Sequence, residues 1–363
     1  MGRGFAYNTG AWLAPLCFRG GQALASSKSQ ARLCLRWCRI SFVVEGSDMT
    51  LEHLAQDKQK ERETQYMTVE VTAEAKQAQM TLPDPATMPE LKLVALDLDG
   101  TTLREDKTFS PRLIAVIHEL LRRGVYVAIC SGRAPESVQG FAQILGLDQG
   151  HGYCICFNGG ALISLKDIKQ DLFVSTLKAQ DLIDIEHQAR LNGCAIHAYS
   201  TRRVLLTESN IKFTEMEIAA SMQGFEKILF PDEVKPQEEA YKLIAVGDEK
   251  KLDAMRETLP FDFTQRFNIA RTHPNFLEFM TKGCSKGSTL HQLCAKLGIT
   301  TQNVVAFGDA ENDIELVQEA GVGVAVANAM STLKAVARYQ TYNYLDDGVA
   351  IYLERIFGLP AMA

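Results

Sequence analysis

The sequence predicts a mixed α/β protein, a parallel-sheet core with an α+β domain inserted into it. Three observations carry that expectation. Apolar runs of strand length alternate with helical repeats over residues 91–168 and again over 276–363. Between them, 169–275 changes to a helix-strand-strand order that occurs twice around a middle helix and strand. The apolar runs of the outer parts also end in acids, amides and hydroxyls instead of plain turns.

Taken in order, Leu93, Val94, Ala95 and Leu96 read as a buried strand that runs straight into Asp97 and Asp99. Ser110-Pro111 is a helix start, with serine as N-cap and proline at the first helical position. Leu113, Ile114, Ile117, Leu120 and Leu121 then recur at helical spacing, and Gly124 ends the helix. A second strand, 125–130, stops at Ser131-Gly132-Arg133. A helix over 135–145 carries Val138, Phe141, Ala142 and Leu145 on one face, and a third strand ends in Asn158-Gly159-Gly160. The alternation is Rossmann-like, and in such sheets ligands bind beyond the carboxyl ends of the strands.

The insertion reads as a helix over 179–192, strands in "CAIHAY" and "RVLLT", and a helix near 210–222. A strand in "YKLIAVG", a helix over 249–258 and strands near 263–271 and 276–280 follow. The expected form is an open sheet with helices on one face. The parallel pattern then resumes. Leu290, Leu293, Cys294 and Leu297 mark a helix that opens near Lys286 and closes at Gly298. "VVAFGDAEND" and "GVGVAVANA" supply two more strands.

The N-terminal part has a different composition. Residues 1–44 carry six Arg or Lys, no acid and both tryptophans, Trp12 and Trp37, whereas the whole chain has a net charge of −6. An acid-free, Arg-bearing segment with Ser and Ala suggests an organelle transit peptide over 1–48, directing the chain to a plastid or mitochondrion. The competing reading is a chain that starts in translation at Met49, Met67, Met80 or Met88 and stays cytoplasmic. Residues 49–90 read as a polar linker. The nine cysteines are scattered without zinc spacing, and Cys130, Cys154 and Cys156 sit in apolar runs as small core residues. The acidic balance gives no reason to expect nucleic acid, and no apolar run is long enough to cross a membrane. Oligomeric state is left open.

Two carboxylates at the mouth of a core strand repel each other, and burial adds to the penalty. Asp-x-Asp-Gly is also ordinary turn chemistry, so company decides the matter. Ser131, Asn158, Lys286, Asp309, Asn312 and Asp313 all fall at strand or helix ends on the same side of the expected sheet. Asp97, Asp309 and a backbone carbonyl suit a hard cation such as Mg²⁺. Ser131, the Gly132 amide and Lys286 suit a phosphate. A carboxylate facing phosphorus is a candidate nucleophile, and a second carboxylate a candidate acid/base.

Asp97-Leu98-Asp99-Gly100-Thr101, Ser131-Gly132-Arg133, Asn158-Gly159-Gly160, Ser285-Lys286-Gly287 and Gly308-Asp309 with Glu311-Asn312-Asp313 resemble, in order and spacing, the motifs of the haloacid-dehalogenase superfamily of phosphatases. The long insertion, "NFLEFMTKGCSKG" and "DDGVA" resemble its Cof-type subfamily, whose inserted domain is a C2-type α+β cap. The resemblance implies a core at 91–168 and 276–363 and a cap at 169–275. It implies Asp97 as nucleophile and Asp99 as acid/base. Ser131, Gly132, Asn158, Lys286 and Asn312 would hold the phosphate. Asp97, the Asp99 carbonyl and Asp309 would hold Mg²⁺, with Asp313 and Arg133 in support. The expected partner is a small phosphorylated metabolite of the sugar phosphate, pyridoxal phosphate or flavin mononucleotide type. A phosphomutase on the same scaffold and a non-catalytic binding module are the alternatives.

Overall fold

The structure is a computed structural model, and it describes residues 80–200, 204–207 and 225–362. The expected transit peptide at 1–48, most of the linker and the expected helix near 210–222 lie outside the described residues.

Fifteen strands fall into two sheets among the described residues. The first is built from β1 (Leu93–Leu96), β2 (Tyr126–Cys130), β3 (Gly152–Cys156), β4 (Ala161–Ser164) and β5 (Asp167–Val174), joined by β13 (Val304–Gly308), β14 (Val322–Ala325) and β15 (Tyr339–Gln340). Its order is β15-β14-β13-β1-β2-β3-β4-β5. From β15 to β3 every pairing is parallel, and β4 and β5 add an antiparallel hairpin. The chain winds outward from β1 through β2 and β3, then returns to the other side of β1 as β13. The crevice at such a reversal is where a doubly wound sheet binds its ligand.

Helices cover both faces. α1 (Pro111–Arg122), α2 (Pro135–Ile144) and α8 (Gly348–Ile356) pack Leu113, Ile117, Val138 and Leu353 against Val94, Leu96, Val127 and Ile129. α6 (Lys286–Leu297) and α7 (Ile314–Glu319) pack Leu290, Leu293 and Leu316 against Leu93, Ala95 and Ala128 on the opposite face. Residues buried on both sides explain why these strands read as unbroken apolar runs. The expected start of α1 is present: the Ser110 hydroxyl accepts from the Leu113 amide at 3.0 Å, with Pro111 first in the helix.

The second sheet runs β11-β12-β10-β7-β8-β9, with β6 (Leu177–Lys178) also on β10. Its strands are β7 (Ala195–Ser200), β8 (Val204–Leu206), β9 (Phe225–Lys227), β10 (Glu239–Val246), β11 (Phe267–His273) and β12 (Phe276–Thr281). Its side chains alternate. Ile196, Ala198, Leu243, Ala245, Leu277 and Phe279 pack with Leu182, Ile185, Leu252 and Met255 of α3 (Ala179–Leu191) and α4 (Glu249–Thr258). Tyr199, Val204, Leu206, Ile244, Val246 and Phe276 face the other way and join the core of the first sheet.

Three expectations need correction. The boundaries at 169 and 276 do not match the sheets: β5, at 167–174, pairs with β4 in the first sheet, and β12, at 276–281, pairs with β10 and β11 in the second. An apolar run shows that a strand exists, not which sheet it joins. Residues 263–266 are not strand but lie in α5 (Phe261–Arg266), where Arg266 reaches Asp262 one turn back and Asp181 and Asp184 of α3. The described end of the expected linker is not free either. Met80 packs on the main core, the Thr81 amide donates to the Gln340 carbonyl at 2.9 Å, and the Gln340 amide donates to the Thr81 hydroxyl at 2.8 Å.

His197, fully buried on β7, gives a stability prediction. Burial, then the nearby Lys242 ammonium, push its imidazole down to about 4. The unfolded chain takes up this proton below about 6.5, the folded chain only near 4, so stability falls as pH drops through that window, by up to about 3 kcal/mol. His197→Phe should flatten the fall in melting temperature between pH 6.5 and 4.5. An unchanged slope would mean that His197 charges as readily in the folded chain.

Candidate active site

Five chain segments meet at the carboxyl ends of β1, β2, β3 and β13. Asp97 follows β1, and its carbonyl accepts from the Thr102 hydroxyl at 2.6 Å, which folds the next turn back on the strand. Gly100, at φ 85°, lets that turn approach Asp309: a β-carbon there would stand 2.5 Å from Asp309 Oδ2. Ser131 follows β2. Asn158 follows β3 in the left-handed region, at φ 57° and ψ 31°. Lys286 is the first residue of α6, whose N-cap Ser285 accepts from the Ser288 amide at 3.0 Å. Asp309 follows β13, and Asn312 and Asp313 lie in the 3₁₀ turn Glu311–Asp313.

At the centre, the fully buried Lys286 ammonium donates to Asp97 Oδ1 at 2.7 Å and to Asp313 Oδ1 at 2.6 Å. The second oxygen of Asp313 accepts from the backbone amides of Asp309 and Ala310, at 3.1 and 3.2 Å. Thr101 donates to Asp309 Oδ1 at 3.0 Å. Carboxylate oxygens of Asp97, Asp309 and Asp313 all lie within 4.8 Å of one another. Two acids thus bond one ammonium, and a third lies beside them. Burial, then Asp313, raise the carboxyl of Asp97 well above the ordinary range, against the pull of Lys286. Burial and Asp313 likewise push Asp309 up to about 6. Lys286 is raised: burial opposes its charge, but Asp313 and Asp97 prevail. A cluster of hard oxygen donors with charge to spare fits Mg²⁺. Asp313 is already committed to Lys286 and two amides.

Asp99 is placed differently from Asp97. Its carboxylate accepts from Arg133 Nε and Nη2 at 2.7 and 2.8 Å and from Lys107 at 2.7 Å. Burial opposes ionisation, but the Arg133 fork and Lys107 outweigh it and hold this acid at about 2. Ser131 is buried, its carbonyl accepting from the Asn158 amide at 3.0 Å and its hydroxyl from the Arg133 amide at 3.3 Å. Gly132 lies against the Asn158 carboxamide, where a β-carbon would stand 3.1 Å from Nδ2. Asn312 Nδ2 donates to Asn158 Oδ1 at 2.9 Å, and Asn158 Nδ2 donates to Glu278 Oε2 at 2.6 Å.

The structure therefore gathers Asp97, Lys286, Asp309 and Asp313 into one cluster, joins Ser131, Gly132, Asn158 and Asn312 beside one another, and pairs Asp99 with Arg133. Sequence reasoning missed Thr101, Lys107 and Glu278. Glu278 had a signal: an acid in "FLEFM", at a position where the strand's alternation turns away from Leu277 and Phe279.

A doubly wound sheet with acids and a buried lysine gathered at its reversal point is the architecture of a Rossmann-like α/β enzyme. The chain belongs to the haloacid dehalogenase-like hydrolases, whose family model matches residues 94–353, and it is a phosphoric monoester hydrolase. It is 30% identical over 265 residues to the HMP-PP phosphatase of Serratia proteamaculans, covering 72% of this chain and 94% of that one. It is 28% identical over 261 residues to the 5-amino-6-(5-phospho-D-ribitylamino)uracil phosphatase YcsE of Bacillus subtilis, covering 72% and 94%. Among solved structures, a haloacid dehalogenase-like hydrolase from Bacteroides thetaiotaomicron superposes with a TM-score of 0.64 at 28% identity, covering 74% of this chain and all of that one. Among the described residues no helix is long and apolar enough to cross a membrane.

Proposed function

We propose that the protein is a Mg²⁺-dependent phosphatase that hydrolyses a small phosphorylated metabolite through an aspartyl-phosphate on Asp97. One observation carries the reading: two buried carboxylates, Asp97 and Asp313, bond one buried ammonium at the reversal point of the sheet, with the half-buried carboxylate of Asp309 beside them. The relative named for a phosphorylated ribitylaminouracil supports a small phosphorylated substrate.

Asp97 attacks phosphorus, and the P–O bond to the alcohol breaks. The leaving oxygen takes a proton from Asp99. Asp99 then accepts a proton from the water that attacks the aspartyl-phosphate, which releases inorganic phosphate and restores Asp97. Lys286, the hydroxyl of Ser131, the amide of Gly132 and the amide nitrogens of Asn158 and Asn312 face the phosphoryl oxygens. Asp97, the Asp99 carbonyl and Asp309 would hold Mg²⁺, and Asp313 keeps Lys286 and the Asp309 backbone in place. When bound, the ion offsets the clustered charge and draws electron density from the transferring group. The Arg133 fork favours ionised Asp99, the form needed as base. Asp99 carries a proton for the first half-reaction only once that fork loosens.

Release of inorganic phosphate from p-nitrophenyl phosphate and a panel of phosphorylated sugars and cofactors, with and without EDTA, tests the reading. EDTA-insensitive turnover would sink the metal requirement. Asp309→Ala should weaken Mg²⁺ at least about 10-fold, read both from activity and from the rise in melting temperature on adding the ion. In the unmutated protein that rise should fade as pH falls through about 6, where Asp309 takes up a proton. An unchanged titration in Asp309→Ala would dismiss it as a ligand.

A further inference from the structure

Glu278 belongs to the second sheet yet bonds to the first domain. On β12 it stands in register with Ile244 of β10, which faces the main core, and between Leu277 and Phe279, which face away from it. It is buried, and its partners are all donors. Asn158 reaches Oε2 at 2.6 Å and Lys242 reaches the same oxygen at 3.2 Å, while Thr272 reaches Oε1 at 2.8 Å. Lys242, on the neighbouring strand, is 2% exposed, so the inserted domain holds an ion pair under the main core instead of in water.

A carboxylate can only accept, whereas a carboxamide can present either end. An acceptor on the second-sheet side therefore decides which way round Asn158 sits: Nδ2 toward Glu278 and Oδ1 toward Asn312. That in turn makes the Asn312 nitrogen the donor at 2.9 Å. Each amide nitrogen retains a second N–H for an anion. A hydrogen-bonded chain ending on a carboxylate also polarises each link.

We propose that Glu278 is a positioning residue for the phosphatase reaction: it fixes the carboxamide of Asn158 across the junction of the two domains, so that seating the inserted domain sets the phosphate-facing amides of Asn158 and Asn312. This rests on the reading of Asn158 and Asn312 as phosphate donors. Glu278 itself touches no reacting atom. It acts through Asn158, and a seated domain and an oriented site become one condition.

The test is a double-mutant cycle with two readouts, kcat on p-nitrophenyl phosphate and the affinity for inorganic phosphate by calorimetry in the presence of Mg²⁺. Glu278→Gln should lower both by about 10-fold or more, because a carboxamide at 278 no longer dictates the direction of Asn158. In an Asn158→Ala background the same change should cost less than about 2-fold. Equal factors in the two backgrounds, or no effect of Glu278→Gln, would overturn the proposal. Glu278→Gln leaves the Lys242 ammonium without its carboxylate, so Lys242→Met/Glu278→Gln is the folding control. It should melt like the unmutated protein and keep the kinetic loss. Recovery of full kcat there would assign the defect to a stranded charge and overturn the proposal. Asn158→Ala with unchanged turnover and phosphate affinity would remove the role of Asn158 and the proposal with it. Loss of activity in Asp97→Asn would still stand for the phosphatase reading.

Discussion

Asp97→Asn should lower turnover by about 10³-fold or more while the protein keeps its fold. The change is nearly isosteric and leaves an oxygen for the Lys286 ammonium, now 2.7 Å from Oδ1. It removes the atom that attacks phosphorus. It also removes one of three mutually repelling acids, which burial and Asp313 already push toward protonation. The variant should therefore melt no lower than the unmutated protein when both are measured without Mg²⁺ near neutral pH, since an ionised carboxylate with a raised pKa opposes folding there. Phosphate release and a thermal melt check both halves. Retention of a tenth of the activity would rule out the aspartyl-phosphate route. A melting temperature several degrees lower would show that Asp97 stabilises the cluster.

Lys286→Met should be as damaging to activity and, in contrast, severe for stability. The side chain is wholly buried, and its ammonium is the cation that bonds both Asp97 and Asp313. Methionine fills the volume but leaves two buried carboxylates without it. Removing one partner of a buried pair typically costs about 3–5 kcal/mol. Turnover should fall by about 10³-fold because a charge aimed at the transferring phosphoryl group is lost. The two losses can be separated. Lys286→Met/Asp313→Asn should recover much of the stability and none of the activity. If activity returned with stability, Lys286 would be only a structural counter-ion.

Much of the site was legible because it is written in residue types at strand ends. Asp97, Ser131, Asn158 and Asp309 each close an apolar run, and a parallel sheet brings such ends together whatever lies between them. The orientation of Asp99 was not legible, since its partner Lys107 lies in a turn whose path no periodicity describes. Nor was the Asn158–Glu278 bond, which joins residues 120 apart through the seating of one sheet on another. The hairpin of β4 and β5 escaped for another reason. β5 carries Asp167, Lys169, Gln170 and Asp171 on a mostly exposed edge, so its composition reads as loop. The strand expected from about 263 begins only at Phe267, and acids within reach of Arg266 favour a helical turn over 263–266.

The Thr81–Gln340 pairing bears on how this protein behaves in a crowded solution. An eight-stranded open sheet has two borders, each a row of amides and carbonyls on which a foreign strand can grow. One border, β5, is defended by its own charges and by register shifts against β4. The other ends at β15, a two-residue strand with no acid or base in it. There the chain uses its own residues ahead of the first strand. Thr81 occupies backbone groups of Gln340, and Met80 lies over the apolar surface beside it. Met80 and Thr81 take no part in the chemistry. They cover part of that border, and a chain cut back to Pro89 is expected to keep its candidate catalytic groups while uncovering the Gln340 backbone, on which a foreign strand could then pair.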